Sequence, residues 1–219
     1  MDEGRRKPHF AVPAGNFNQA RTSPMRVRIN CQWKIIFCLG LLTARLATAA
    51  DLGKIEINDA AGGVRKPFAE AGQKATVLLF VTPDCPISNR YAPEVNRIVA
   101  DYTPQKISCY LVYVDEDLPA ADARKHRRAF GYTCPALLDS RHELVAVAKV
   151  TVTPEVAVFS PDGKLLYHGR IDDRYADIGK PRAEAGQHDL RDVLTAVLDG
   201  KPVPNPVTRA VGCFIPALR

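Results

Sequence analysis

The chain has 219 residues, is 46% hydrophobic and carries a formal net charge of +6. Eight of its 30 Lys/Arg but only two of its 24 Asp/Glu fall in residues 1–50, leaving 22 of each in the remainder. The basic balance is therefore confined to one end. The neutral remainder excludes the broad basic face that nucleic-acid binding requires.

That N-terminal segment reads as a targeting sequence rather than as part of a fold. Arg26 to Lys34 is basic, Ile35 to Ala44 is apolar, and Ala47-Thr48-Ala49 has the small-x-small form of a signal-peptidase site. The apolar run falls short of the ~20 residues that a membrane helix needs, so no stable anchor is expected. These features predict export to a periplasm or beyond, with cleavage near Ala49. Met25 stands where an ordinary signal peptide would start, so either it or Met1 opens the translated chain. The expected organisation is a leader over 1–49, one domain over 50–200, and a Pro-rich tail over 201–219.

Strand and helix patterns alternate along the domain. Leu52–Asp59 reads as an opening strand followed by a Gly62-Gly63 turn, and Thr76–Val81 as a strand buried on both faces. A helix is expected from Pro86 to about Tyr102, with Tyr91, Val95, Ile98, Val99 and Tyr102 on one face. Pro93 lies inside it and must kink it, and Pro104 closes it. Ile107–Val114 is a further strand, Ala120–Phe130 a charged, solvated helix, Ala136–Leu138 a short strand and Glu143–Ala148 a short helix. Val156–Phe159 and Leu165–His168 flank Ser160-Pro-Asp-Gly-Lys164, which has the residues of a hairpin turn. Leu190, Val193, Leu194, Val197 and Leu198 give a helix stripe that ends at Gly200. The tail from Lys201 is expected to be extended and flexible.

Four cysteines lie beyond the leader: Cys85, Cys109, Cys134 and Cys213. No two of them stand in Cys-x-x-Cys, and the four histidines there have no partner at metal-ligand spacing, so neither a metal site nor a cofactor is expected. Cys85 falls between a strand and a helix. At that helix start, free backbone N–H groups and the helix dipole favour a thiolate. Cys109 alternates within a strand and reads as a core residue.

Strand, Cys85, a helix with Ala92-Pro93, strand, Thr153-Pro154, hairpin and helix together resemble the thioredoxin superfamily, over roughly Lys54 to Leu198. The resemblance implies an α/β fold with a central mixed sheet flanked by helices. It also implies an insertion around Asp115–Asp139, as in the redoxin and peroxiredoxin branches. Cys85 then stands where the family has its attacking thiol, and Thr153-Pro154 where it has a cis-proline whose turn exposes backbone to a thiol partner's chain. Two departures matter. Ser88 replaces the second cysteine of the family's dithiol, and Thr82-x-x-Cys85 matches only half of the peroxiredoxin motif, in which the threonine orients peroxide.

The implied activity is thiol-based oxidoreduction through Cys85, acting on a peroxide or on a protein disulfide through a mixed disulfide. Cys213 and Cys134 are the candidates to resolve that intermediate. Asp84 opposes a thiolate at Cys85, and Arg170 is a candidate to stabilise one. The contrasting reading is a binding module, holding a partner protein or a copper ion after loss of the dithiol.

Overall fold

A computed structural model describes residues 52–218. The expected leader, its cleavage site and the two candidate start methionines lie outside the described residues. None of the described helices is long and apolar enough to cross a membrane.

The strands are β1 (Ile57–Asp59), β2 (Val64–Arg65), β3 (Ala75–Val81), β4 (Ile107–Tyr113), β5 (Ala136–Leu138), β6 (Val152–Thr153), β7 (Glu155–Phe159), β8 (Leu165–Gly169), β9 (Tyr175–Asp177), β10 (Lys180–Pro181) and β11 (Cys213–Phe214). The helices are α1 (Pro86–Tyr102), α2 (Ala120–Ala129), α3 (Glu143–Ala148) and α4 (Asp189–Leu198). Seven strands form a mixed sheet in the order β2-β1-β5-β4-β3-β7-β8. Within it β3, β4 and β5 run parallel, and β7 runs antiparallel to β3.

Every residue of β3 and β4 is buried, as a continuous apolar run predicts for central strands covered on both faces. Their side chains divide by parity. Val77, Leu79 and Val81 of β3 pack with Val95 and Ile98 of α1 and with Leu190, Val193 and Leu194 of α4. Leu78 and Phe80 face the other way, in a second cluster with Leu144 and Ala148 of α3. The two layers hold the end of β3 and the start of α1 in place, and Cys85 lies at that junction.

Most of the expected elements are present, with shorter margins. The opening strand shrinks to Ile57–Asp59, and α1 runs through Pro93 without a break in the assigned helix. The charged helix α2 is not wholly solvated, since Ala123 and His126 are buried.

The tail departs most from expectation. Rather than swinging free, it crosses the free edge of β8 and pairs with β6. His168 donates its backbone N–H to Pro206 O at 3.1 Å, and Thr208 donates to His168 O at 3.2 Å. The Thr208 side chain meets the Tyr167 hydroxyl at 2.6 Å and accepts from the Arg170 N–H at 3.1 Å. Beyond this clamp, β11 runs antiparallel to β6, with Cys213 opposite Thr153 and Phe214 opposite Val152. Ile215 then donates to Thr151 O at 3.0 Å. Gly169 makes the clamp possible: its φ is +147°, and a Cβ there would lie 2.3 Å from Thr208 Oγ1.

Gly169→Ala is therefore expected to loosen the tail while sparing the sheet. Hydrogen exchange should quicken by about tenfold or more at Thr208 and Ile215, with β3 and β4 amides unchanged. Unchanged protection at Thr208 and Ile215 would contradict the clamp.

Candidate active site

The site is assembled from three pieces of chain far apart in sequence. The β3–α1 junction supplies Cys85, the β6–β7 turn supplies Thr153 and Pro154, and the tail supplies Cys213.

Cys85 is the N-cap residue of α1, with extended backbone (φ −82°, ψ 109°) and Pro86 in the first turn. Its sulfur takes the place of the usual capping oxygen and accepts the Ser88 N–H at 3.5 Å. No acidic side chain occupies that first turn, so nothing there opposes negative charge on the cap. The Thr153–Pro154 peptide is cis. The turn that results aims the Thr153 carbonyl at the thiol, which donates to it at 3.0 Å.

The Cys213 thiol completes the arrangement by donating to Cys85 Sγ at 2.9 Å. Both cysteines are free thiols. Strand pairing fixes this contact, because Cys213 stands directly opposite Thr153 in the register. The approach also requires Gly212, where a Cβ would lie 2.0 Å from Thr153 O. No backbone bearing a side chain comes that close without a shift.

The two sulfurs are electrostatically unequal. Burial pushes the Cys85 thiol up, but donation from Cys213 and Ser88 outweighs it and leaves the thiol below the ordinary cysteine value. Cys213 moves the other way, to about 11, through burial and through its own donation to Cys85. Of the two, Cys85 is therefore the sulfur that ionises and Cys213 the one that keeps its proton.

Cys85 is 0% exposed. It lies beneath the tail, whose Cys213 is only partly buried, so the route to Cys85 leads through the tail. Beside the pair is a groove of about 380 Å³ lined by Pro86, Ile87, Arg90, Tyr175, Ile178 and Phe214. Ile178 and Phe214 are 65% and 83% exposed, so the site has an apolar rim.

The remaining candidates fall elsewhere. Thr82 does not face the thiol: its hydroxyl donates to Asp115 Oδ1 at 2.8 Å, across the gap between the ends of β3 and β4. Asp84 is exposed, and its charge bears on His126. Arg170 donates through Nε to Asp189 Oδ2 at 2.7 Å and through its other donors to Gln187 and Asp189, so it ties a loop to the start of α4. Cys134 is buried in the core cluster that also holds Cys109, and burial pushes these thiols up to about 11 and about 12. Its sulfur makes no hydrogen bond to Cys85, whereas that of Cys213 does.

Two supporting residues escaped the sequence reading. Asn89 donates to Pro83 O at 2.8 Å and so braces the loop leading into Cys85. Its own Oδ1 meets His126 Nε2 at 2.8 Å, and His126 Nδ1 meets the buried Tyr113 hydroxyl at 2.8 Å. No spacing signal linked Asn89 to a histidine on a helix 37 residues away.

Residues 72–165 match the Thioredoxin-like family model, a span that includes Cys85 and Pro154 but stops before Cys213. No curated protein matches the chain. Among solved structures, an uncharacterized conserved protein from Geobacillus kaustophilus is 26% identical, with a TM-score of 0.64 over 74% of this chain and 88% of that one. A hypothetical protein from Sinorhizobium meliloti 1021 is 23% identical, with a TM-score of 0.63 over 74% and 89%. The described residues form an α/β fold with a central mixed sheet flanked by helices, and the thioredoxin-like match lies within it over residues 72–165.

Burial separates Cys109 and Cys134 from the partly exposed Cys213 in their reaction with an alkylating agent. Treating the native protein with iodoacetamide at pH 8 should modify Cys109 and Cys134 about tenfold or more slowly than Cys213. Urea should abolish the difference. Early labelling of Cys134 in the folded protein would contradict this placement.

Proposed function

We propose that this protein is an exported thiol–disulfide oxidoreductase whose working couple is Cys85 and Cys213. The observation that carries the reading is the 2.9 Å sulfur–sulfur contact between a helix-capping thiol and a thiol brought to it by the tail. The serine at position 88 removes the adjacent partner that the resemblance leads one to expect. The tail supplies a substitute from 128 residues away in sequence.

The chemistry balances as thiol–disulfide exchange. The Cys85 thiolate attacks one sulfur of a partner's disulfide, forming a mixed disulfide, and the partner's other sulfur leaves as a thiolate and takes up a proton. Cys213 then gives up its proton and attacks Cys85 Sγ. The second partner sulfur leaves, and a Cys85–Cys213 bond remains. One disulfide is broken and one formed, and two electrons pass from the protein to its partner. A reduced thiol donor restores the pair by the reverse sequence.

A disulfide substrate fits better than a peroxide, because the Thr82 hydroxyl is engaged with Asp115 rather than turned to the sulfur. Export, read from the basic–apolar–Ala-x-Ala order of the leader, fits a couple of this kind, since disulfides persist outside the reducing cytosol.

Peptide mapping of the mature protein after one equivalent of diamide is expected to show a single new bridge, Cys85–Cys213. Cys85→Ser should lower reduction of a model protein disulfide by about a hundredfold or more. Cys213→Ser should accumulate the mixed disulfide on Cys85, and Cys109→Ser should leave turnover intact. A protein that forms no such bridge, and whose Cys85→Ser variant keeps full activity, would overturn the proposal.

A further inference from the structure

The reading of Cys85 and Cys213 as a redox couple raises a problem of access. The attacking sulfur has no exposed surface, and the chain that covers it is the protein's own tail. A partner cannot reach Cys85 while β11 is seated on β6. The strand that seats there also shows what kind of backbone the site accepts.

We propose that Gly212-Cys213-Phe214 is a self-docked stand-in for the substrate. The natural partner is then an extended protein segment whose reactive cysteine follows a glycine and precedes a bulky apolar residue. This segment displaces β11 and takes the same register on β6. The proposal rests on the functional reading above and specifies its substrate class.

Three observations carry it. The tail occupies the outer edge of the cis-proline turn as an antiparallel strand, with its cysteine opposite Thr153, and so holds a sulfur against Cys85 as an incoming substrate must. The residue before that cysteine approaches so closely that a Cβ would lie 2.0 Å from Thr153 O and 2.5 Å from Thr153 C, both backbone atoms that cannot turn aside. Any strand that takes this register meets the same restriction. The residue after the cysteine is Phe214, which stands 83% exposed on the apolar rim formed with Pro86, Ile87, Tyr175 and Ile178. Phe214 therefore adds little burial to the seat, which rests on Val211 and Ile215 at its margins and on a pairing with β6 only two residues long. Such a cover is displaceable.

The clamp at Thr208 fits the same purpose. It lies upstream of β11 and is anchored on β8 rather than on the site. When β11 lifts, Cys213 remains tethered a few residues beyond the clamp at Thr208, and so stays at high effective concentration for the resolving step. Displacement by a partner strand and resolution by the tail are then successive positions of one segment.

Two measurements on the full mature chain test this. In the first, Cys213→Ser protein is mixed with the peptide Ala-Gly-Cys-Phe-Ile, its cysteine joined by a disulfide to 2-nitro-5-thiobenzoate. The Cys85 thiolate attacks the peptide sulfur, the peptide–Cys85 disulfide forms, and coloured 2-nitro-5-thiobenzoate is released. The same peptide with valine in place of glycine is the control. The glycine peptide is expected to react at least about tenfold faster, and equal rates would overturn the proposal. In the second, Gly212→Val in the otherwise native chain should unseat β11 and raise the alkylation rate of Cys85 by about tenfold or more, with the sheet amides still protected. An unchanged Cys85 rate in a folded Gly212→Val protein would likewise overturn it. If both peptides react slowly and equally while the Cys85–Cys213 bridge forms on oxidation, the strand preference fails and the redox couple stands. If no bridge forms and Cys85 reacts with neither peptide, the functional reading fails with it.

Discussion

The site depends on a short stretch of strand pairing between the tail and the cis-proline turn. Cys213 faces Thr153 across β11 and β6, and this register places one sulfur on another. Without it, Cys85 would be a lone thiol capping a helix, with the Ser88 N–H and the Thr153 carbonyl as its hydrogen-bond partners. Each backbone hydrogen bond in such a strand contributes only about 0.5–1.5 kcal/mol net. A pairing only two residues long is correspondingly weak.

The inequality of the two sulfurs follows from the same contact. A thiol that donates to a neighbouring sulfur lowers the cost of charge on that sulfur and raises the cost on its own. Burial acts on both and would by itself hold both protonated. Donation from Cys213 and from the first turn of α1 reverses the balance for Cys85 alone. Asp84, the acid beside the thiol in sequence, is exposed, and the groups that lower the Cys85 thiol are Cys213 and Ser88.

Much of the frame was legible from periodicity. Continuous apolar runs marked β3 and β4, the stripe from Leu190 to Leu198 marked α4, and Thr153-Pro154 marked the turn that is cis in the structure. Cys85 was legible as a candidate from its position between a buried strand and a helix start, where it is the N-cap. The path of the tail was not. A Pro-rich stretch without alternation gives no strand signal. Thr82 and Arg170 find other partners for a common reason. Their chemistry suited a reactive sulfur, but nearer partners, Asp115 and Asp189, take their hydrogen bonds, and such pairings across the fold are invisible in a linear pattern.

The central claim is that the reduced tail is seated on β6. Interstrand nuclear Overhauser contacts in the reduced, isotope-labelled protein test it most directly. The account predicts cross-peaks that place Cys213 opposite Thr153 and Phe214 opposite Val152, with strand-like shifts over both segments. Random-coil shifts from Arg209 to Ile215, with no contacts to β6, would contradict it.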